Sequence, residues 1–246
     1  MEWKVNFAAG DRLMKWLVAA VALLSFSTAA EQIELEPYEA EYQVTRGGSE
    51  YGEGYRKLEV SPEGEWQLRG KTDISWFILS DTRETRSVFT YNEDKQRFIP
   101  IEFLYMRSGT GSDKSFHASF DAQQKQVKNV DSGRLLEIGW NNGLYDEASV
   151  IEKLRLDVAA GSEDLTYSII DEKGREDTYR FAIVGNEQLK TPYGSFKTVK
   201  VERVRDNNRR QTYFWLAPEL NYLLVQMQQF KEGDEQAKMT LRSLTQ

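Results

Sequence analysis

Apolar and polar side chains alternate with a period of two along most of this chain. In the segment 38–45, tyrosine, alanine, tyrosine and valine occupy every second position, and polar residues occupy the others. This alternation is typical of a strand that has one face in the core and the other in water. The pattern predicts strands over 38–45, 51–60, 66–75, 83–91, 98–107, 116–121, 125–131, 134–140, 164–171, 178–183, 195–205, 209–216, 221–230 and 236–244.

Tight turns separate these segments at regular intervals. Ser61 to Gly64 and Thr191 to Gly194 both place proline second and glycine fourth, as a type I turn prefers. Many short strands joined in this way predict an all-β, mainly antiparallel fold, either a strongly curved meander sheet or an open barrel. No linker or repeat interrupts the pattern, so we expect residues 31–246 to form a single β-rich domain.

One segment, 146–160, has the spacing of a helix instead. Asp146 and Ser149 are candidate N-terminal caps, and Gly161 follows where a helix commonly ends. We predict one helix here, packed across an open side of the sheet. The apolar residues at helical spacing are Ile151, Leu154 and Val158.

Residues 1–30 form a predicted signal peptide region. Lys15 precedes an apolar run over 16–26, which is too short to span a bilayer, and small residues follow at 28–30. Cleavage would leave Ala30 or Glu31 as the first residue. The acidic residues Glu2 and Asp11 are unusual ahead of such a run, which favours Met14 as the true start. A genuine long N-terminal region and an uncleaved anchor are the alternatives.

The composition excludes several classes of site. The chain has no cysteine, so it forms no disulfide, thiolate metal site or cysteine-linked lipid anchor, and one histidine is too few for a histidine metal site. Removing residues 1–30 changes the net charge from −7 to −8, which disfavours nucleic acid as a partner. We therefore expect a periplasmic protein that is not a lipoprotein, has no cofactor or metal, and does not span the membrane after cleavage.

The segments 185–201, 210–218 and 220–230 resemble a known family. They read GNEQLKTPYGSFKTVKV, RQTYFWLAP and LNYLLVQMQQF. The strand that begins at Tyr38, the Phe120-Asp121 turn and the segment 145–149 fit the same pattern. These motifs resemble the exported bacterial proteins of domain-of-unknown-function family 3108. The resemblance implies an exported, barrel-like β domain, and it carries no activity, substrate or catalytic residue.

Few residues are candidates for catalysis. His117 is the only imidazole, but Ser115 would share its strand face about 7 Å away between Cα atoms, too far for a nucleophile and base on one strand. We interpret His117 as a solvated or cross-strand residue. No carboxylate spacing singles out a glycosidase pair. Six carboxylates lie on or near the helix or on strands: Asp146, Glu147, Glu152, Asp157, Glu187 and Glu202. We expect no catalytic residues and no enzyme.

Aromatic side chains are the stronger signal for function. They make up 12% of the chain and could share one concave face, which would be either a solid core or the lining of an apolar pocket. The run 76–79, Trp-Phe-Ile-Leu, is either a buried strand end, which we favour, or a rim that touches a lipid, membrane or partner. The candidate ligand-binding residues on the aromatic face are Tyr42, Trp66, Phe116, Phe120, Phe181 and Trp215.

These observations favour a non-catalytic protein of the cell envelope. It would bind a lipid or other apolar ligand, or an envelope protein partner, through a curved antiparallel sheet. The alternatives are a structural or interaction factor in envelope assembly and, with only acidic richness to support it, a carboxylate-dependent glycan hydrolase.

Overall fold

The computed structural model describes Met1 and residues 33–140 and 143–246, so the predicted signal peptide and the start at Met14 lie outside the described residues. The described part has fourteen strands, one α-helix, α1 (Ser149–Ala159), and a 3-10 turn at Pro218–Leu220. The strands are β1 (Tyr38–Arg46), β2 (Ser49–Val60), β3 (Glu65–Trp76), β4 (Leu79–Asn92), β5 (Arg97–Gly109), β6 (Lys114–Asp121), β7 (Gln126–Asn129), β8 (Leu144–Asp146), β9 (Thr166–Ile170), β10 (Glu176–Lys190), β11 (Ser195–Val204), β12 (Arg210–Ala217), β13 (Leu223–Lys231) and β14 (Asp234–Thr245).

All fourteen strands belong to one sheet, in the order β7-β6-β5-β4-β3-β2-β1-β14-β13-β12-β11-β10-β9-β8. Most neighbours follow one another in the chain and pair antiparallel, and β1 pairs with β14 where the two halves join. The single parallel pair is β8 with β9, because α1 lies between them as a crossover. The prediction of an all-β, mainly antiparallel sheet with one helix is confirmed.

The sheet curls until its far ends approach each other without closing. Ser87 on β4 donates a 2.6 Å hydrogen bond from Oγ to Oδ1 of Asp146, at the end of β8. The rings of Phe98 on β5 and Tyr145 on β8 lie 6.0 Å apart in an edge-on contact. The edge strand β8 is therefore tucked against the opposite half of the sheet, and the curved sheet encloses an interior.

Helix α1 packs against the curved sheet and makes contacts with both of its halves. Its existence is confirmed, and Gly161 has the positive φ of +67° expected after a helix end. All eleven of its residues are buried. Charged side chains of α1 also contact the sheet. Glu152 accepts a hydrogen bond from Arg56 on β2, and Asp157 accepts one from Tyr167 on β9. A helix can be buried all round only if such groups find partners.

Two hydrophobic clusters fill the space between helix and sheet. The larger one contains α1 residues such as Leu154 together with Tyr42 and Phe214 from the joined β1 and β12–β14 region. The smaller one surrounds Phe103 and Phe116 on β5 and β6. These clusters fill much of the interior.

The predicted strand over 134–140 does not form. Leu135 makes one isolated bridge to Lys128, and the backbone N–H of Gly139 donates to the carboxylate of Glu176 at 2.8 Å. Leu136, Ile138 and Trp140 nevertheless pack together on the smaller cluster. The alternation in this segment therefore reflects the burial of every second side chain, without pairing to a neighbouring strand. The edge strand at this end of the sheet is formed by the three residues of β8 instead.

Candidate ligand-binding cavity

A cavity of about 280 Å³ lies between the two halves of the sheet, next to the start of α1. It is lined by residues of β2–β5 on one side and β10–β14 on the other. Gly70 on β3 helps to leave this space open, since a Cβ atom there would lie 2.7 Å from Oγ1 of Thr85. The apolar part of the lining consists of Ile151, Phe181, Phe214, Leu224, Met227 and Met239.

A second cavity of about 250 Å³ lies nearer the end of the sheet at which β3 turns into β4. We call this second cavity the upper cavity and the first one the lower cavity. On β3, Ile74 lines the upper cavity, and Thr72, two residues away, lines the lower cavity. On β4 the same relation holds for Asp81 and Arg83. Side chains two residues apart in a strand point to the same face, so the two cavities follow one another along the inner face toward this end of the sheet, which we call the mouth.

Arginines dominate the charge of the lower cavity. Arg56, Arg83, Arg203 and Arg205 all contribute to its lining, while Glu147 is its one carboxylate among the described residues. Three of these arginines already have an acidic partner at 2.8–3.4 Å, namely Glu152, Asp81 and Asp177 respectively. Arg205 instead donates from Nη2 to the hydroxyl of Thr212 at 3.2 Å.

Glu147 has an unusual environment for a carboxylate. Its pKa is raised to about 7, chiefly by burial and also by the nearby Glu172, although the hydrogen bond donated by the Tyr179 hydroxyl acts in the opposite direction. Its environment therefore favours the protonated form. The carboxylate contributes less negative charge to the cavity than the number of acidic groups alone indicates.

The pKa of Glu152, on α1, is shifted in the opposite direction. Burial alone would raise its pKa, but the guanidinium groups of Arg155 and Arg56 outweigh burial and lower it to about 2. Its Oε1 accepts from Arg56 at 2.9 Å and from the Tyr38 hydroxyl at 2.6 Å, and its Oε2 accepts from Arg155 at 2.6 Å. This buried network ties α1 to β1 and β2 and supports the wall of the cavity.

Phe181 is the one residue of the predicted aromatic site that lines the lower cavity. Its ring lies 5.7 Å from that of Phe214, which lines the cavity beside it. Tyr42 is fully buried in the larger cluster instead, and its hydroxyl donates to the carbonyl of Leu224 at 2.9 Å. Trp66 is half-buried near the opposite end of β3 from the mouth.

The expectation that the aromatic residues share one concave face is wrong for Trp215. Phe116 and Phe120 belong to the smaller cluster, and Phe116 pairs with Tyr105, which lines the cavity, so both lie on the inner face outside the cavity. Trp215 follows Phe214 directly in β12 and so points to the opposite face of the sheet. Its indole donates to Glu187, and the ammonium of Lys200 lies 4.8 Å from the ring centroid. Alternation shows which residues share a face but not which face is concave.

The favoured burial of the run 76–79 is also wrong. Trp76 pairs with Leu79, so Phe77 and Ile78 are the two central residues of a tight hairpin turn. Both side chains are more than nine-tenths exposed. Phe77 has φ of +54°, at a position where hairpins normally use glycine or asparagine. A bulky residue in this conformation is an outlier, and its apolar side chain is presented to solvent at the tip of the hairpin.

The catalytic candidates show no catalytic arrangement. His117 makes a cross-strand contact, with Nε2 3.1 Å from Oε1 of Glu102. Oδ1 of Asp146 accepts hydrogen bonds from the backbone N–H groups of Ala148 and Ser149, although the N-cap residue of α1 is Ala148 and neither predicted cap occupies that position. Asp157 is paired with Lys153. Over the described ranges, no group of three or more acidic or histidine residues could hold a metal ion.

Sequence reasoning missed the arginines of the cavity. Val201, Arg203 and Arg205 occupy alternate positions at the end of the predicted strand 195–205, so they share one face. Two arginines that alternate with a buried valine along one strand indicate that positive charge can lie on the inner face. They were not singled out because charged residues in a strand normally indicate the face in water.

The chain matches the model of a protein family described as a protein of unknown function, DUF3108, over residues 7–242. This chain belongs to the DUF3108 family. The resemblance noted in its C-terminal strands and at Tyr38 is therefore confirmed. No curated protein sequence matches the chain.

Among solved structures, the chain is similar to a β-barrel-like protein of domain of unknown function DUF1849 from Brucella abortus. The identity is 12%, the match covers 86% of this chain and 98% of that one, and the TM-score is 0.57. The chain is also similar to a protein from Bacteroides fragilis described as exported and YmcC-like in fold, with 10% identity, coverage of 89% and 100%, and a TM-score of 0.34. The first similarity shows a shared barrel-like fold.

No helix in the described part of this DUF3108 protein is long and apolar enough to cross a membrane.

Proposed function

We propose that this protein is a non-catalytic binding protein of the cell envelope that holds an apolar ligand in the lower cavity of its curved sheet. The observation that carries the proposal is the cavity itself, whose lining includes the apolar side chains of Ile151, Phe181, Phe214 and Met227. Ligand sites are characteristically concave, mostly apolar and supplied with a few polar groups.

The rigidity of the surrounding structure supports this function. The cavity wall includes Ile151 of α1, a helix that the ion pairs of Glu152 hold against the sheet. Gly70 and Gly54 provide room at positions where a side chain would meet Thr85 or Met239. A preformed space costs little ordering when a ligand enters, so it favours binding.

The proposed compartment is the periplasm. The support is the signal-like run over 16–26 and the small residues that follow it. The absence of cysteine from the sequence also argues against a lipid anchor on the mature chain.

Filling the cavity with a larger side chain should weaken ligand binding. We expect the neutral fluorophore N-phenyl-naphthylamine to bind the full-length protein, and Thr85→Phe to weaken binding at least about tenfold, because the added ring occupies the space next to Gly70. Fluorescence titration of the purified protein measures both affinities.

Thr82→Phe is the matched control for this substitution. Thr82 lies on the same strand but lines the outer face with Glu84 and Met106, so the control should bind the fluorophore like the wild type. A wild-type protein that does not bind the fluorophore, or equal weakening by both substitutions, would contradict the cavity as the binding site.

The exposed hairpin tip favours a second candidate, an interaction factor that docks on an envelope protein. Arg83 and Arg107 lie close to the tip, but both are paired with Asp81, at 2.8 and 2.6 Å, which makes them less available to an anionic lipid surface. An apolar pocket on a protein is the more fitting occupant for Phe77 and Ile78, which are exposed.

Crosslinking in cells should separate this candidate from cavity binding. A photoreactive residue at position 78 is expected to give one discrete protein adduct, and Phe77→Ser should remove it. The control position is Val60, which is 42% exposed at the end of β2. Identical adducts at 60 and 78, or an adduct unaffected by Phe77→Ser, would show that the tip is not a docking element.

A further inference from the structure

The end of the lower cavity nearest the mouth is cationic, although the protein as a whole carries a net charge of −7. Arg203 and Arg205 lie two residues apart on the inner face at the end of β11. The guanidinium carbon of Arg203 lies 3.2 Å from the centroid of the Tyr179 ring, which holds that arginine in place.

Arg205 lacks the partner that the other cavity arginines have. No described carboxylate forms an ion pair with it, and its Nη1 is buried without a hydrogen-bond partner in the described structure. An unsatisfied buried donor is destabilising, and more so when the group is charged. Burial and the nearby Arg203 both lower the pKa of Arg205, the change expected where positive charge is not compensated.

Most apolar side chains of the cavity lie on the side of these arginines that faces away from the mouth, and Phe181, which pairs with Arg203, has its ring 5.7 Å from that of Phe214. Val201 pairs with Phe214, and Phe214 pairs with Met227, so these residues form one level of the cavity. Arg203 is two residues beyond Val201, and Thr212 is two residues before Phe214 in the antiparallel neighbour, which places both on the next level toward the mouth. The cavity therefore changes from apolar to cationic along its length.

We propose that the cavity binds an anionic amphiphile, with its head group on Arg203 and Arg205 and its chain against Phe181, Phe214 and Met227. This inference rests on the proposed function and adds the chemical class of the ligand. A carboxylate or phosphate would give Nη1 of Arg205 the acceptor that it lacks, and charge-assisted hydrogen bonds of this kind are strong in a partly buried site. Thr212 and Gln229 supply further polar atoms beside the head group.

Competition between matched amphiphiles tests the head group. Dodecanoate and dodecyl phosphate should displace N-phenyl-naphthylamine from the full-length protein at least about tenfold more effectively than dodecanol, which has the same chain without a charge. Arg205→Gln should remove this preference. Arg205→Lys should retain part of it, since a cation remains without the planar guanidinium.

Arg180→Gln is the matched control, because Arg180 is exposed on β10 and pairs with Asp206. It should leave the preference for the anionic amphiphiles intact. If dodecanol competes as well as dodecanoate and dodecyl phosphate, or if Arg205→Gln keeps the preference while folded, the head-group assignment is overturned and cavity binding stands. If the wild type binds neither the fluorophore nor dodecanol, cavity binding itself fails.

Discussion

Replacing Glu152 with alanine should lower the free energy of unfolding by about 3–5 kcal/mol. This is the largest effect on stability that we expect from replacing one buried polar side chain. The substitution leaves the guanidinium groups of Arg56 and Arg155 without their shared carboxylate in the interior. It also removes the acceptor of the Tyr38 hydroxyl, which is buried in the same network. Urea unfolding followed by tryptophan fluorescence measures the change.

The control for this prediction is an exposed ion pair. Glu41 pairs with Arg242 at 3.4 Å where both side chains are more than two-fifths exposed, so Glu41→Ala should cost less than about 1 kcal/mol. A double variant, Glu152→Ala with Arg56→Met, should recover part of the loss because one uncompensated buried charge is also removed. A loss below about 1 kcal/mol for Glu152→Ala would show that the network does not stabilise the fold.

Glu152 also predicts how the protein responds to acid. Its pKa is about 2 in the folded protein against an ordinary value of 4.5. The carboxylate therefore stabilises the fold above pH 4.5, and this contribution is lost as the pH falls toward 2. Glu152→Ala should lack this part of the acid-induced destabilisation, which distinguishes the ion pair from loss of packing alone.

Much of the fold could be predicted because strand patterning and turn chemistry are local. The turn Arg46 to Ser49 is an example, since Gly47 and Gly48 have φ of +56° and +84° and connect β1 to β2 as a hairpin requires. The segment 134–140 shows the limit of such patterns. Its alternate residues are buried on the smaller cluster, but a neighbouring strand for them to pair with is not encoded in the local pattern.

The cavity depends on contacts between distant residues, so little of it could be predicted. Phe181 was identified because it is aromatic and alternates with polar residues, and it does line the cavity. Arg56 and Glu152 are 96 positions apart, and neither has a local signal for the other. The side of β12 that faces inward is decided by how the whole sheet curls, which is why Trp215 was assigned to the wrong face.

Glu147→Gln should make the stability of the protein less dependent on pH between about 4.5 and 7. Burial and Glu172 raise the pKa of Glu147 from 4.5 to about 7. A raised carboxyl pKa means that the folded state holds its proton more tightly than the unfolded state does. The wild-type free energy of unfolding should therefore fall as the pH rises from 4.5 through 7, by up to about 3 kcal/mol, since each pKa unit corresponds to about 1.4 kcal/mol.

Glutamine is a suitable replacement because its amide oxygen can still accept from the Tyr179 hydroxyl and its amide nitrogen can donate to Glu172. The neutral side chain keeps these interactions at every pH, so the variant should be more stable than the wild type at pH 8 and similar to it at pH 4.5. Urea unfolding at constant ionic strength from pH 4.5 to 8 measures both profiles.

Glu172→Gln gives an independent check of the cause. Removing that neighbouring carboxylate should lower the pKa of Glu147, so the fall in stability should begin at a lower pH while its sign stays the same. Glu41→Gln, at an exposed position, should follow the wild-type profile. If the free energies of unfolding of the wild type and Glu147→Gln change in parallel with pH, the pKa of Glu147 is not raised by burial. The cavity wall at this position would then be accessible to water.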